Sequence, residues 1–599
     1  MGQFLYNGLE SEVLILSRVT TDKNNIYIDG KATKIMSGAM HYFRIHPAYW
    51  RDRLLKLKEL GCNCVETYLA WNLHEKREGE FDFSEWLDFG KYLDTAKELG
   101  LFAIVRPGPY ICSEMDLGGM PWWLLRYPGI ALRTSDPLFL AKTTPFLKKA
   151  CEILSPRTVD RGGNVILVQV ENEYGSYSDD KEYLGYLRDL LVSEGIDCPL
   201  ITSDGYAENL LRAGTLAGVM ASVNYRSESE RALSELRRYC PDQPGAVMEL
   251  WNGRAQHWGS PLYSRNLDEV ADSVKKALEN AALVNLYMFH GGTTFGFMNG
   301  MVYENGKPAF QMTSYDVEAP LDEYGRRTEK YYREQAVIAE TLGIPVQNTA
   351  KDTVLHTYGE AFPCGVAPLC AAQVSSHIRY PIPHSMEMCG EGYGYIVYET
   401  DVYLYELAAF VRFHDFRDVA HVYLDGVYQG SLWAEDEVRE VPLYGCGKAR
   451  LSILVENLGR CNFGAHLSEG KGIISYVECV FKENGYLHSC MMLSDFDIYT
   501  LPIDVLPTVY GDEAVLNAPA FYKYTFCAER VADTVLMPKG FTRGVAFING
   551  FNLGRHWTIE HSDNRLYIPA PLLREGENMI VVFDVLANEK EKSVFLGEG

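Results

Sequence analysis

The chain of 599 residues carries 56 basic and 80 acidic side chains, a net charge of −24, with 47% hydrophobic and 23% charged residues. Such a composition belongs to ordinary globular proteins and excludes disordered and collagen-like classes. The negative field argues against nucleic acid or an anionic membrane as partner. At roughly 150 residues per domain the length implies three or four units, one of which can be an α/β barrel of about 250 residues or more.

The first twenty residues, MGQFLYNGLESEVLILSRVT, have neither a basic start nor an apolar core of signal-peptide length. With no apolar run of about 18 residues anywhere, a cytoplasmic protein that does not span a membrane is expected. The fourteen cysteines are scattered, as at Cys62, Cys64 and Cys479, and read as reduced core thiols. They form no CxxC pair and the histidines no HxxxH set, so neither a metal site nor a cofactor is expected.

From about residue 33 to 343, short apolar runs alternate with amphipathic segments eight times. The predicted strands cover 34–40, 62–68, 101–107, 165–171, 199–204, 219–225, 246–251 and 284–289. Between them lie helical patterns such as AYWRDRLLKLKELG, FSEWLDFGKYLDTAKELG and LDEVADSVKKALENA, and EKYYREQAVIAETLG follows the last strand. Buried parallel strands read as continuous apolar runs, and eight with crossover helices fit a closed (β/α)8, or TIM, barrel over residues 1–345.

After residue 346 the texture becomes short strands rich in Val, Tyr and Phe, cut by Gly, Asp, Asn and Pro. HVYLDGVYQGSLW (421–433) and AFINGFNLGRHW (546–557) form an internal repeat that matches Gly426 with Gly550, Gly430 with Gly554 and Trp433 with Trp557. Two jelly-roll-like sandwiches explain it, each with its DG or NG step as a hairpin turn. Residues 346–385 read as a linker with first strands, 386–494 as the first sandwich and 495–599 as the second, with 346–385 available to complete it. Turn and core chemistry account for the repeated Gly and Trp residues without a sugar ligand.

In such a barrel the chemistry sits at the C-terminal strand ends. Glu173 ends the fourth strand in VQVENEYGSY after Asn172, Glu249 lies near the end of the seventh, Glu114 follows the third and Asp204 ends the fifth. A single glutamate there is more often a cap or an arginine's partner, but two on strands four and seven can converge over one mouth. Glycoside hydrolysis needs such a pair, one carboxyl to protonate the departing oxygen and one to meet the oxocarbenium-like carbon. Tyr68, Trp71, Trp122, Trp123, Trp251, Trp258, Phe295 and Phe297 are candidate platforms for the sugar's C–H faces. Phosphate chemistry fares worse, because the Gly-rich FHGGTTFGFMNG lacks Lys and Arg.

The strings RPGPYICSEMDLGGMPWWLL, VQVENEYGSY, MELWNGRAQHWG and NLYMFHGGTTFGFMNG, in this order, resemble glycoside hydrolase family 35, the β-galactosidases, of the bacterial cytoplasmic type. The resemblance implies a retaining exo-enzyme that removes terminal β-linked galactose from oligosaccharides or other glycosides, often as a homo-oligomer. It makes Glu173 the acid/base and Glu249 the nucleophile. Asn172 would bond the sugar 2-hydroxyl, Tyr68, Cys112, Ser113 and Glu114 the remaining hydroxyls, and Trp251 would line the sugar site. Tyr287 would orient the nucleophile. The chain departs from the family pattern at Val317 in TSYDVE, where relatives commonly carry Tyr, at Arg254, where they commonly carry an aromatic, and at Met115, where Trp is usual. These departures, expected around the pocket, leave another β-linked sugar or transglycosylation as the alternative.

Overall fold

The computed structural model describes residues 18–261, 263–372, 374–512, 516–587 and 591–598; most of the opening segment weighed above as a leader lies outside them. Eight parallel strands form a closed barrel: β1 Ile35–Met40, β2 Cys64–Tyr68, β3 Phe102–Arg106, β4 Val165–Gln169, β5 Leu200–Gly205, β6 Met220–Tyr225, β7 Ala246–Trp251 and β8 Leu283–His290. β8 closes onto β1, with Leu283 beside Ile35. Nearly every strand residue is buried, which is why these strands read as unbroken apolar runs.

The crossover helices stop where the sequence says they should. The helix Trp50–Leu60 ends at Gly61 with φ 111°, and Glu329–Leu342 at Gly343 with φ 64°, left-handed positions that glycine takes without strain. The second predicted helix is shorter than its pattern: Asp88 caps Phe89–Glu98, and the preceding Glu85–Leu87 forms a separate 3-10 turn. A small antiparallel sheet over residues 19–32 packs Val19, Ile26 and Ile28 beneath the barrel. No helix among the described residues is long and apolar enough to cross a membrane.

Two β-sandwiches follow. The first pairs a six-stranded sheet, Ser376–Tyr380, Phe496–Leu501, Tyr395–Leu404, Gly447–Glu456, Val419–Leu424 and Val427–Trp433 in spatial order, with a four-stranded one. The strand Phe496–Leu501, assigned from sequence to the second sandwich, belongs here, hydrogen-bonded between Ser376–Tyr380 and Tyr395–Leu404. Its short alternating pattern fits either sheet, and only its partners decide. In the second sandwich Gly359–Ala361 pairs with Ser593–Leu596, and Gly365–Pro368 with Ala520–Ala528. The chain thus enters the second sandwich, builds the first, and returns.

The internal repeat has a common geometry. Asp425–Gly426 and Asn549–Gly550 take left-handed φ values of 47°, 77°, 49° and 88° at their hairpin tips. Each hairpin carries a bulge at the same place, after Val422 and after Ala546. The matched tryptophans meet: Trp433 and Trp557 stack at 5.6 Å across the sandwich interface, with the Arg543 guanidinium 4.9 and 4.6 Å from their rings. Their work is to join domains.

Candidate active site

β7 delivers Glu249 to the barrel mouth. Its Oε1 accepts from Arg106 Nη2 at 2.8 Å and its Oε2 from Trp251 Nε1 at 3.0 Å. Arg106 ends β3 and is fully buried, its guanidinium lying 3.7 Å from the Tyr68 ring and 4.0 Å from Glu66. It also donates to the Ile111 carbonyl at 3.1 Å and to Gln169 at 3.3 Å, contacts that fix its direction.

Glu173 stands on a turn docked against β5. Its φ is 46°, its N–H donates to the Ser203 carbonyl at 2.9 Å, and Gly175, two residues on in the turn, donates its N–H to Asp204 Oδ1 at 2.8 Å. A Cβ on Gly175 would lie 2.0 Å from the Leu210 carbonyl oxygen, so glycine is required there. The side chain accepts from Asn224 Nδ2, at the end of β6, at 2.9 Å. Burial, then the charge of Glu249, pushes the Glu173 carboxyl up to about 7, although Asn224 and Arg106 pull the other way.

The two glutamates of ENEYG have opposite fates. Glu171 is fully buried in a bidentate pair with Arg133, both contacts 2.8 Å, and also accepts from Tyr183 at 3.2 Å. It shapes the turn and has no free oxygen for a substrate. Glu173 faces a cavity of about 630 Å³ that Glu249 also lines, a volume typical of small-molecule sites.

The cavity floor comes from the loop after β3. Cys112, Ser113 and Glu114 all take left-handed φ, at 58°, 58° and 50°, a run that non-glycine residues adopt only when their surroundings hold them there. Arg44 holds it by donating to Ser113 Oγ at 2.7 Å, and Asn462 donates to Cys112 Sγ at 3.5 Å. Tyr315 donates to Glu114 and bonds the Tyr287 hydroxyl at 3.0 Å. Burial raises the Glu114 carboxyl above its ordinary range, and it raises the Cys112 thiol to about 12, so that sulfur is no nucleophile near neutral pH.

Of the residues singled out from sequence, Glu173, Glu249, Asn172, Cys112, Ser113, Glu114, Trp251 and Tyr287 line this cavity. Tyr68 does not; it is fully buried, packed against Arg106 and His41. The hydrogen bonds to Glu249 come from Arg106 and Trp251, so Tyr287, bonded to Tyr315, is not their source. Val317 and Arg254 are on the cavity wall, but Met115 is 1% exposed in the barrel core and bridges Asn299. Among the eight expected aromatic platforms, Trp251 lines the cavity; Trp71, Trp122 and Trp123 are buried core. No cluster of three or more metal-ligating side chains occurs among the described residues.

The model of glycosyl hydrolases family 35 matches residues 25–341. The chain belongs to that family. The models of a beta-galactosidase first all-beta domain and a beta-galactosidase galactose-binding domain match residues 383–493 and 519–578. Beta-galactosidase of Xanthomonas manihotis is 38% identical over 541 residues, which cover 89% of this chain and 88% of that protein. Beta-galactosidase-1-like protein 3 of Rattus norvegicus is 37% identical over 584 residues (93% and 88%), and human beta-galactosidase 34% over 614 (96% and 88%).

This family 35 glycoside hydrolase uses residues that sequence reasoning passed over. Arg106 stands in LFAIVRP, where one arginine after an apolar run reads as an edge. Arg44 and Tyr315 are remote from both glutamates in sequence. Asn462 and Phe463 belong to the first sandwich and line the same cavity, so the barrel alone does not complete it. No pattern within one segment signals such a contribution.

Proposed function

We propose that the chain is a retaining exo-β-galactosidase that removes terminal β-linked galactose by double displacement. One observation carries this reading: two carboxyls, one after β4 and one near the end of β7, line one cavity with different partners. Glu249 is gripped by a buried guanidinium and an indole N–H, while Glu173 keeps a proton up to about pH 7. That division is what acid-assisted displacement requires.

Glu249 attacks the anomeric carbon and the bond to the leaving oxygen breaks as Glu173 delivers its proton there. The product is a glycosyl ester on Glu249. Forming it removes the negative charge that had raised Glu173, which then takes a proton from the incoming water as that water attacks the anomeric carbon, breaking its bond to the Glu249 oxygen and releasing the carboxylate. Asn172, 2% exposed with its Oδ1 accepting from Gln169 at 3.4 Å, presents its amide to the sugar side.

The test is stereochemical. NMR of the first-formed galactose should show the β-anomer; the α-anomer overturns the scheme. Glu249→Gly with azide should yield the inverted α-galactosyl azide, and its absence removes Glu249 from the role. Val317 supports a second reading, another β-linked sugar, because an apolar side chain stands on the cavity wall where the family pattern that the chain resembles has a tyrosine. Nitrophenyl β-galactoside, β-glucoside and β-glucosaminide compared side by side separate the two.

A further inference from the structure

The proton donor fixes which side of the cavity receives the leaving group. Asn224, which holds Glu173, is the penultimate residue of β6, and the chain runs on through Tyr225 to Arg226, two residues on. Residues two apart on an extended segment share a face, and Arg226 lines the cavity with Glu173. Its guanidinium lies 4.6 Å from the ring centroid of Tyr263, and its Nη2 is shut from solvent with no hydrogen-bond partner among the described residues. An enclosed guanidinium nitrogen without an acceptor is a costly arrangement unless another molecule supplies one.

The nearby charges do not fill that need. Arg254 and Glu304, also at the mouth, pair with each other at 3.0 Å. Glu228 turns its Oε2 to the backbone N–H groups of Ser227 and Arg226, at 2.9 and 3.3 Å. The Glu228 charge is felt by Arg226, but no described carboxylate comes within ion-pair distance of its guanidinium, and Tyr263 offers it a ring face rather than an acceptor.

We infer that the leaving-group side of this cavity is built for a carboxylate, so that the preferred substrates carry an acidic group on the unit attached to galactose, with Arg226 as the specificity determinant. A planar guanidinium stacked on an aromatic ring matches a carboxylate in two parallel hydrogen bonds. The inference rests on the galactosidase reading above and adds the class of leaving group to it.

The experiment compares 3-carboxyphenyl β-galactoside with its neutral carboxamide. The carboxamide is the better leaving group electronically, so any excess for the carboxylate reports recognition. Wild-type kcat/KM should favour the carboxylate by about ten-fold, the scale of a hydrogen bond to a charged group. In Arg226→Ala that ratio should fall to one or below, and Arg226→Lys should keep part of it; Arg226→Gln serves if the alanine variant folds poorly. Raising salt should narrow the wild-type ratio. A wild-type ratio of one or less, or a ratio that the Arg226 variants leave intact, overturns the inference while the galactosidase reading stands. Failure to cleave either glycoside overturns both.

Discussion

Two fully buried arginines, each between two carboxylates, do different work in this molecule. At the junction of barrel and first sandwich, Arg460 donates Nε to Glu387 at 2.9 Å and Nη1 to Asp116 at 3.1 Å, while its backbone N–H reaches Asp116 Oδ1 at 2.6 Å. The backbone N–H of Lys471 completes Glu387 at 3.0 and 3.1 Å. The acceptors are matched by donors and the network locks two domains together. In the barrel mouth Arg106 faces Glu249 and Glu66, with Glu173 and Glu114 close enough to feel its charge. There the charge of Glu249 adds to the effect of burial, so protons stay on: Glu66 is raised to about 8 and Glu173 to about 7. Carboxylates whose oxygens are all met by donors hold structure; carboxyls that crowd one another in a buried mouth keep the proton that catalysis spends.

The comparison can be broken most sharply at Glu249, the proposed nucleophile. Glu249→Ala should lower kcat by at least about 10⁴-fold, the scale of removing a covalent catalyst, with little loss of melting temperature; steady-state kinetics and calorimetry check both. Arg106→Met should affect both quantities, since it strands Glu249 and Glu66 without their cation. Its kcat loss should be about 10²- to 10³-fold, comparable to deleting a preorganised charge-stabilising donor. Arg460→Met should instead destabilise by about 3–5 kcal/mol, the penalty of leaving buried carboxylates unpaired, measured by denaturant unfolding. Removing both acids as well, as Asp116→Leu and Glu387→Leu, should restore much of that loss, a rescue no neutral replacement can give to activity at Arg106.

The crowding of carboxyls also predicts a pH signature. Glu173 must hold its proton to act as acid, so kcat/KM should fall as pH rises through about 7. For stability, its folded value lies above the ordinary 4.5, so the folded state binds the proton more tightly. That contribution is full below about 4.5 and lost as pH rises through about 7. Glu173→Gln should therefore gain melting temperature over wild type at pH 8 and not at pH 5. The smallest effect is at Val317, a β-branched residue at φ 49°. Asparagine tolerates that conformation but buries an amide among Ala39, Met288 and Tyr315, so the two effects oppose and Val317→Asn should shift stability by less than about 1 kcal/mol, measured by denaturant unfolding.

The barrel was legible because its strands are buried on both faces, so each of the eight appears as an apolar run with a helix after it. Glu173 and Glu249 were legible because strand ends are where such a fold places chemistry, and both line the cavity. What escaped depends on contacts between distant segments. Arg133, which takes Glu171 out of contention, lies 38 residues before it. Asn462 reaches Cys112 across 350 residues. The repeated tryptophans fit turn and core chemistry in sequence, yet their stacking on each other could not be read from either repeat alone.

The central claim is that Glu249 becomes esterified to the sugar. Incubation with 2,4-dinitrophenyl 2-deoxy-2-fluoro-β-galactoside, followed by proteolysis and mass spectrometry, tests it most directly. The account predicts one fluorogalactosyl group per chain, on the peptide containing MELWNG and attached at Glu249, with Glu173 unlabelled. A label on any other residue, or burst-free turnover that leaves no covalent adduct, would contradict it.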